Sequence, residues 1–456
     1  MMRTVSVNLL LITLIGCNSS SSINESVNES IPSITSPSFT AIALKREINS
    51  VQPMTGIVLW ENHGAWGSDE EQIVANAISL EYSYMKFSDV VNDNKGDYDW
   101  SVVEEKLNSI SGRGHQAILR FYYVYVNDTD PNDGIVRATT VPQYIKDLQG
   151  YDNNIVGIPE GQVTHFPDWS NEELQRFTLE FHSQFANKYD DDPRLAFLQV
   201  GFGLWGEYHI YDGLQVQLGV NFPSKNYQMK FYDHMENSYD QLPWSFSIDA
   251  ANSDYSPFDI EPSYLEKGFG LFDDSFMHEH HSDINETRWQ FFNYTRRYEN
   301  APFGGEFSYF EFPYDQENVL NPLVGAYGTS YEDFASKFHI TYMIGNDTLR
   351  EQSAQRLKDA SMASGYRFNV LFIETSDTEL ETRITVSNSG VAPIYYDAYI
   401  AANGIRATDS LRYLLPGESK VYKIATEVSA VKPDISIESD HILQSQEIEF
   451  SADVKL

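Results

Sequence analysis

The stretch Leu195-Ala196-Phe197-Leu198-Gln199-Val200-Gly201-Phe202-Gly203-Leu204-Trp205-Gly206-Glu207-Tyr208-His209 decides the fold. It opens as a continuous apolar run, the signature of a strand buried on both faces of a parallel sheet. It closes on glycines, aromatics and one glutamate, a loop at the strand's end. Just upstream, Ser170-Asn171-Glu172-Glu173 opens an amphipathic helix through residue 189, with Leu174, Phe177, Phe181 and Phe185 at helical spacing. The same alternation extends in both directions. Strands are expected at 55–60, 79–90, 116–123, 195–202, 244–249, 268–272, 303–307 and 339–344. Helices are expected to open at 69–71 behind Ser68 and to run over 99–109, 170–189, 226–239, 286–298, 331–338 and 348–363. Eight such units predict an α/β fold, a closed (β/α)8 barrel over 51–364. From residue 367 the period changes to two, as in Glu381-Thr382-Arg383-Ile384-Thr385-Val386. Turn signals stand at Asn388-Ser389-Gly390 and Pro416-Gly417. The region 365–456 therefore reads as a small antiparallel β-sandwich.

Asp and Glu total 66 against 31 Lys and Arg, a formal net charge of -35, so the surface repels nucleic acid. Hydrophobic residues make up 41%, enough for a large core. Cys17 is the single cysteine, which rules out an intrachain disulfide and a cysteine metal site. Residues 5–15 form an apolar run too short for an ordinary spanning helix. The following Leu14-Ile15-Gly16-Cys17 resembles the lipobox of bacterial lipoproteins. That resemblance implies removal of residues 1–16 and lipid attachment at Cys17. The protein would then be exported and membrane-anchored at the cell envelope, with Asn18 compatible with outer-membrane sorting. Residues 17–50 read as a flexible tether rich in Ser and Asn near its start.

Barrel enzymes gather functional side chains at the carboxyl ends of their strands. This rule selects Trp60, Asn62 and His63 after the first strand, and Arg120 and Tyr122 at the third. It selects Trp205, Glu207 and His209 after the fourth, Asp249 after the fifth, Asp273, His280 and His281 after the sixth, and Glu306 on the seventh. Glycoside cleavage needs two carboxyl groups flanking the scissile bond, one to protonate the leaving oxygen and one to attack the anomeric carbon or activate water. Glu207 and Glu306 each follow an apolar strand and stand beside glycines that let a substrate approach.

Glutamates at the ends of the fourth and seventh strands resemble the retaining glycoside hydrolases of clan A, the 4/7 barrel superfamily. The resemblance implies Glu207 as acid/base and Glu306 as nucleophile, with the remaining selected residues binding substrate. Many members carry Asn before the fourth-strand Glu, whereas this chain has Gly206; Asn62 or His209 is then expected to contact the sugar. The Gly-Leu-Trp-Gly-Glu-Tyr-His stretch, with Val391-Ala392-Pro393-Ile394-Tyr395-Tyr396-Asp397 in the strand-rich tail, looks like a poorly characterised group of β-galactosidase-like barrel proteins. That points to β-galactoside linkages, including agar- or carrageenan-type galactans. The tail motif is read as structural.

Arg120 has three candidate readings: holding Glu306 ionised, binding an anionic substituent such as sulfate, or forming a simple surface salt bridge. His278-Glu279-His280-His281 suggests a metal at first sight but lacks further clustered ligands, and sugar contacts are the expectation. In Asp128, Asp130, Asn132 and Asp133, Gly134 stands one place late for a calcium loop, so this reads as an exposed loop. No cofactor and no metal are expected. The competing reading is a non-catalytic carbohydrate-binding barrel, which needs no matched carboxylates.

Overall fold

The computed structural model describes residues 38–126, 139–211, 213–425 and 433–456, with the side chains of His280, His281, Ser282 and Tyr413 left aside. Cys17, its lipobox and the loop of Asp128 to Asp133 lie outside the described residues.

Eight parallel strands close into a barrel in sequence order: Gly56–Trp60, Leu80–Lys86, Gln116–Tyr122, Leu195–Gln199, Trp244–Ser247, Gly270–Phe276, Phe303–Phe307 and Tyr342–Ile344. The last pairs with the first, Met343 opposite Ile57. The strands read as unbroken apolar runs because helices cover the outside and side chains fill the inside. Asn171 caps the helix Glu172–Tyr189, its side chain accepting from the amides of Glu173 and Leu174 at 3.0 and 3.1 Å. That helix buries Leu174, Phe177, Phe181 and Phe185, the stripe its spacing predicts.

Three expected elements change. The second strand stops at Lys86, and Phe87–Val90 forms a short helix, because Phe87 turns in to stack on Tyr123 at 4.1 Å. The sixth strand runs on to Phe276, past the expected end at 272. The helix expected over 286–298 starts earlier, as Glu279–Phe291, and breaks at Asn293 (φ 54°) before the short turn Tyr294–Arg297. Asn tolerates this left-handed conformation better than most residues.

The C-terminal region forms two sheets. One contains Ser419–Ala425, Glu381–Asn388, Phe368–Ser376 and Phe450–Val454; the other contains Ile405–Arg406, Tyr399–Ala402 and Ile435–Glu438. Pairing is antiparallel except between Phe368–Ser376 and Phe450–Val454. The tether expected through residue 50 is corrected here: Leu44–Arg46 and Thr40–Ala41 join the larger sheet against Phe450–Val454 and Phe368–Ser376. Strands of two and three residues carry no detectable period, and their partners lie near the far end of the chain.

This module packs against the barrel floor. Val58, Leu80, Ile118, Phe197 and Tyr342 from the barrel interior share one apolar cluster with Phe368, Ile394, Tyr396 and Phe450. Tyr396 donates to the carbonyl of Ala196 at 2.6 Å, and Tyr395 to that of Tyr298 at 2.7 Å. The 391–397 motif is thus a structural plug at the end of the barrel opposite the loops that carry function.

Candidate active site

After the fourth strand the chain folds back on itself. Glu207 N–H donates to the Leu204 carbonyl at 2.9 Å, and Leu204 N–H donates to the His209 carbonyl at 3.0 Å. Trp205 adopts φ 55°, a conformation non-glycine residues seldom take. Its backbone is pinned on both sides, N–H to Val124 at 2.8 Å and carbonyl to Arg120 at 3.3 Å. The next residue, Gly206, has φ 73°, and a Cβ there would sit 3.1 Å from Arg120 Cδ. A side chain at 206 would crowd Arg120 Cδ and the Phe121 carbonyl, at 3.1 and 3.2 Å, so glycine suits this turn. The turn aims Glu207 into the barrel mouth. On the seventh strand, a Cβ on Gly304 would lie 2.2 Å from the Tyr342 ring, so the tyrosine fills the barrel interior only because residue 304 is glycine. Two residues on, Glu306 reaches the same mouth.

Both glutamates line one pocket of about 750 Å³, within the range of small-molecule sites. Trp60, Tyr84 and Trp205 supply aromatic wall, and His209, Tyr211, Asp274, Arg288, Tyr309, Asn346 and Asp347 supply polar groups. Of the residues selected by sequence, Trp60, Trp205, Glu207, His209 and Glu306 meet here. Asn62 is exposed and His63 lines an adjoining groove of about 840 Å³ that shares Asn346 and Asp347 with the pocket. Neither Asn62 nor His63 stands beside the glutamates, because the first strand ends at Trp60 and the chain turns away. Tyr122 is buried behind the wall, edge-on to Tyr84 at 5.7 Å. The His280 and His281 side chains lie outside the described ones; His278 is buried near Phe310, ring centres 4.9 Å apart.

Arg120 is neither a sulfate site nor a surface ion pair, and its charge reaches Glu306 without bonding it. It is 1% exposed, so no sulfate reaches it. Its guanidinium bonds Gln199 at 2.7 Å and Glu207 at 3.1 Å, rather than Glu306. The third strand neighbours the fourth in the barrel, and that adjacency fixes the partner.

Asp273 and Asp274 exchange places relative to expectation. Asp273 turns outward and is buried on the helix Glu279–Phe291, accepting from Asn285 at 2.8 Å and Trp289 at 3.0 Å. Asp274 faces the pocket. Successive strand residues point to opposite sides, so ending the sixth strand at 272 lost this parity. Asp249 is buried beneath the pocket wall, paired with Arg288 and accepting from Tyr211 at 3.1 Å and Ser247 at 2.7 Å.

The two glutamates sit in unlike surroundings. Glu207 accepts from Arg120 and from His209 Nε2 at 3.1 Å. Burial alone would lower the His209 pKa, but the hydrogen bond to Glu207 and the charge of Asp249 carry it above the ordinary value. Glu306 is pushed up to about 8, first by burial and then by the charges of Glu207 and Asp347, with Arg120 opposing. Asp274 is raised well above a carboxylate's usual range by burial and by Asp249 and Glu207. Asp249, which burial would raise, is instead held low by His209 and Arg288. Among the described residues, Glu207, His209, Asp249 and Asp274 form the one group of side chains able to hold a cation, their oxygens and imidazole nitrogen lying within 4.8 Å of one another. Arg120 and Arg288 already neutralise two of its three carboxylates.

No protein-family model matches the sequence, and no curated protein matches it. Among solved structures, the lactosyl-enzyme intermediate of endo-glycoceramidase II from Rhodococcus sp. is 9% identical and covers 84% of this chain and 100% of that one, with TM-score 0.37. A β-galactosidase from the Antarctic haloarchaeon Halorubrum lacusprofundi is 12% identical over 63% of this chain and 52% of that one, with TM-score 0.34. Xylanase XynB from Paenibacillus barcinonensis is 13% identical over 66% of this chain and 87% of that one, with TM-score 0.38. At these levels of similarity, the site's own chemistry has to carry the functional argument.

Proposed function

We propose that this chain is a retaining glycoside hydrolase acting on β-galactoside-type linkages. Glu207 is the acid/base and Glu306 the nucleophile. The single observation that carries the reading is that two glutamates from the fourth and seventh strands line one sugar-sized, aromatic-walled pocket and share the field of one buried arginine. In the first step Glu306 attacks the anomeric carbon while Glu207 protonates the departing oxygen. In the second, Glu207 deprotonates water, which displaces Glu306. Trp60 and Trp205 give faces for sugar stacking, and Tyr84, Tyr309 and Asn346 give groups for sugar hydroxyls.

Charge narrows the substrate. Glu160, Glu207, Asp274, Glu306 and Asp347 line the pocket against Arg288, which Asp249 engages. A sulfate or uronate would find no unengaged arginine there, since Arg288 pairs with Asp249 and the buried Arg120 bonds Glu207. Within the galactans, the reading favours uncharged agar-type chains over sulfated carrageenan-type ones. The lipobox reading adds an envelope-anchored enzyme working outside the cytoplasm.

The test is a panel of aryl β-galactosides and neutral and sulfated galactan oligosaccharides, assayed with wild type, Glu207→Ala and Glu306→Ala. Hydrolysis of a neutral galactoside with retained anomeric configuration, lost in both variants, is expected. Wild-type rates in both variants would overturn the mechanism, and faster cleavage of the sulfated substrates would overturn the charge argument.

A further inference from the structure

Beside the pocket lies the groove of about 840 Å³, and the two share Asn346 and Asp347, which stand just after the eighth strand. The loop after the first strand walls the groove with His63, Gly64 and Ser68, and the loop after the eighth with Asp347 and Arg350. The eighth strand pairs with the first, so these loops are neighbours at the barrel mouth. The walls are held without a ligand. His63 Nδ1 accepts from Ala65 N–H at 3.1 Å, and the Asn346 backbone bonds the same ring, so one imidazole ties the two loops. Asn346 Oδ1 accepts from Trp60 N–H at 3.1 Å. Asp347 accepts from the Tyr309 hydroxyl and pairs with Arg350, both at 3.0 Å. The ledge between pocket and groove is thus fixed in place, which lowers the ordering cost of a ligand lying across it. Tyr309 and Phe312, 36% and 45% exposed, stack with ring centres 5.7 Å apart, and the Arg350 guanidinium lies 4.9 Å from the Phe312 ring centre. Tyr309 also lines the pocket, so aromatic surface continues from the pocket onto the ledge. Inside the groove, Ile73 offers apolar contact at 62% exposure, while Asp69, Glu70 and Arg350 offer groups for hydroxyls. Sugar rings present the same combination, apolar faces and polar edges. Arg350 is matched by Asp347, with Asp69 and Glu70 beyond it, so an anionic ligand finds no surplus positive charge.

We propose that this groove is a second carbohydrate subsite, holding the sugar units that adjoin the one being cleaved, so that the substrate is a neutral galactan chain rather than a short glycoside. The inference rests on the glycosidase reading above. A chain seated in the pocket reaches the groove across Asn346 and Asp347. Each unit placed there adds binding energy remote from the scissile bond, and such energy can raise kcat as well as lower KM. An aryl galactoside fills the pocket alone and has no access to that gain.

Gly64 and Ile73 allow the groove to be filled from outside the pocket, which neither residue lines. A Cβ on Gly64 meets nothing within 4 Å, so Gly64→Trp builds into open space. Ile73→Trp fills the groove from the helix Glu71–Ala75 instead. In wild type, kcat/KM on neutral β-linked galactan oligosaccharides should rise about tenfold or more from disaccharide to hexasaccharide. Both variants should lose most of that rise and keep aryl β-galactoside hydrolysis within about twofold of wild type. A wild-type rate independent of chain length, a rise that survives in both variants, or an equal loss on aryl and oligosaccharide substrates would overturn the proposal. Calorimetry in a Glu306→Ala background gives a readout that needs no turnover. The hexasaccharide should bind about tenfold more tightly than the disaccharide, and adding Gly64→Trp or Ile73→Trp should remove the difference. Equal affinities without the tryptophan, or no binding, would overturn the groove assignment. If chains bind in this way and no galactoside is cleaved by wild type, the glycosidase reading fails while the groove stands.

Discussion

The two sides of the pocket hold the same residue type in opposite conditions. Glu207 is crowded: a buried arginine and an imidazole bond it, and the carboxyls of Asp249 and Asp274 lie within 4.8 Å. Glu306 is nearly alone, and among the described residues its side chain has no hydrogen-bond partner, so burial dominates and pushes it up to about 8. The free protein therefore leans toward a proton on Glu306, the group that must be ionised to attack in the first chemical step. Two carboxyls sharing a field titrate as a pair, so the working arrangement is one protonation isomer of a pair with the right proton count. Catalytic competence here depends on where a proton sits, and the elements surrounding each glutamate decide that.

The largest effect should come from removing either carboxyl, and the two losses should differ in kind. Glu306→Ala is expected to lose on the order of 10⁴-fold or more in kcat with every leaving group. Glu207→Ala should lose roughly 10²–10⁴-fold with poor leaving groups and far less with dinitrophenyl. Azide should rescue Glu207→Ala to the retained glycosyl azide and Glu306→Ala to the inverted one. The opposite pattern would exchange the two roles.

Next in size is Arg120, the cation beneath the crowded side. Arg120→Met should cost about 3–5 kcal/mol in denaturant unfolding, because it leaves Glu207 buried beside fewer positive charges. A cost under about 1 kcal/mol would mean that Glu207 is solvated well enough to need no partner.

The lonely side should show in the pH dependence of stability. The folded pKa of Glu306 lies above its unfolded value of about 4.3, so the folded state holds this proton more tightly. Its stabilising contribution is complete below the unfolded pKa and is lost as pH rises through about 8. Wild type should lose stability across this window, and Glu306→Gln, neutral throughout, should lose less. Identical slopes would show that the burial of Glu306 is relieved by solvent. In activity, loss of the proton that the pair holds sets the basic limb of kcat/KM near pH 8.

The smallest effect belongs to Asp347, whose charge helps raise Glu306 and which pairs with Arg350 at 3.0 Å and with the Tyr309 hydroxyl at 3.0 Å. Asp347→Asn should move that basic limb down by a fraction of a pH unit with kcat nearly unchanged. An upward shift would mean that Arg350, released, acts elsewhere.

Several site features were readable in the chain because they follow from local pattern. Strand ends locate Glu207, Glu306, Trp60 and Trp205, since a barrel's carboxyl ends all face one way. Asp274 was missed by parity alone. Ending the sixth strand a few residues early turned attention to Asp273, whose side chain serves Trp289 and Asn285 on a helix. Tyr84, Arg288 and Asp347 carried no local signal, because the mouth gathers residues from strands far apart in sequence. Arg120 was visible as a buried-strand arginine, but its partner was not.

What the sequence determined by itself is periodic: eight strand–helix alternations, a two-residue period after residue 367, and glutamates at the ends of the fourth and seventh strands. Short-range sterics and burial write such patterns into consecutive residues. What only the tertiary structure decided is relational: Glu207 rather than Glu306 on Arg120, Asp274 rather than Asp273 in the pocket, and residues 40–46 in the C-terminal sheet. These outcomes depend on which side chains meet across the barrel and how little water remains between them. Low-dielectric electrostatics and long-range strand pairing act through space, and spacing along the chain does not encode them.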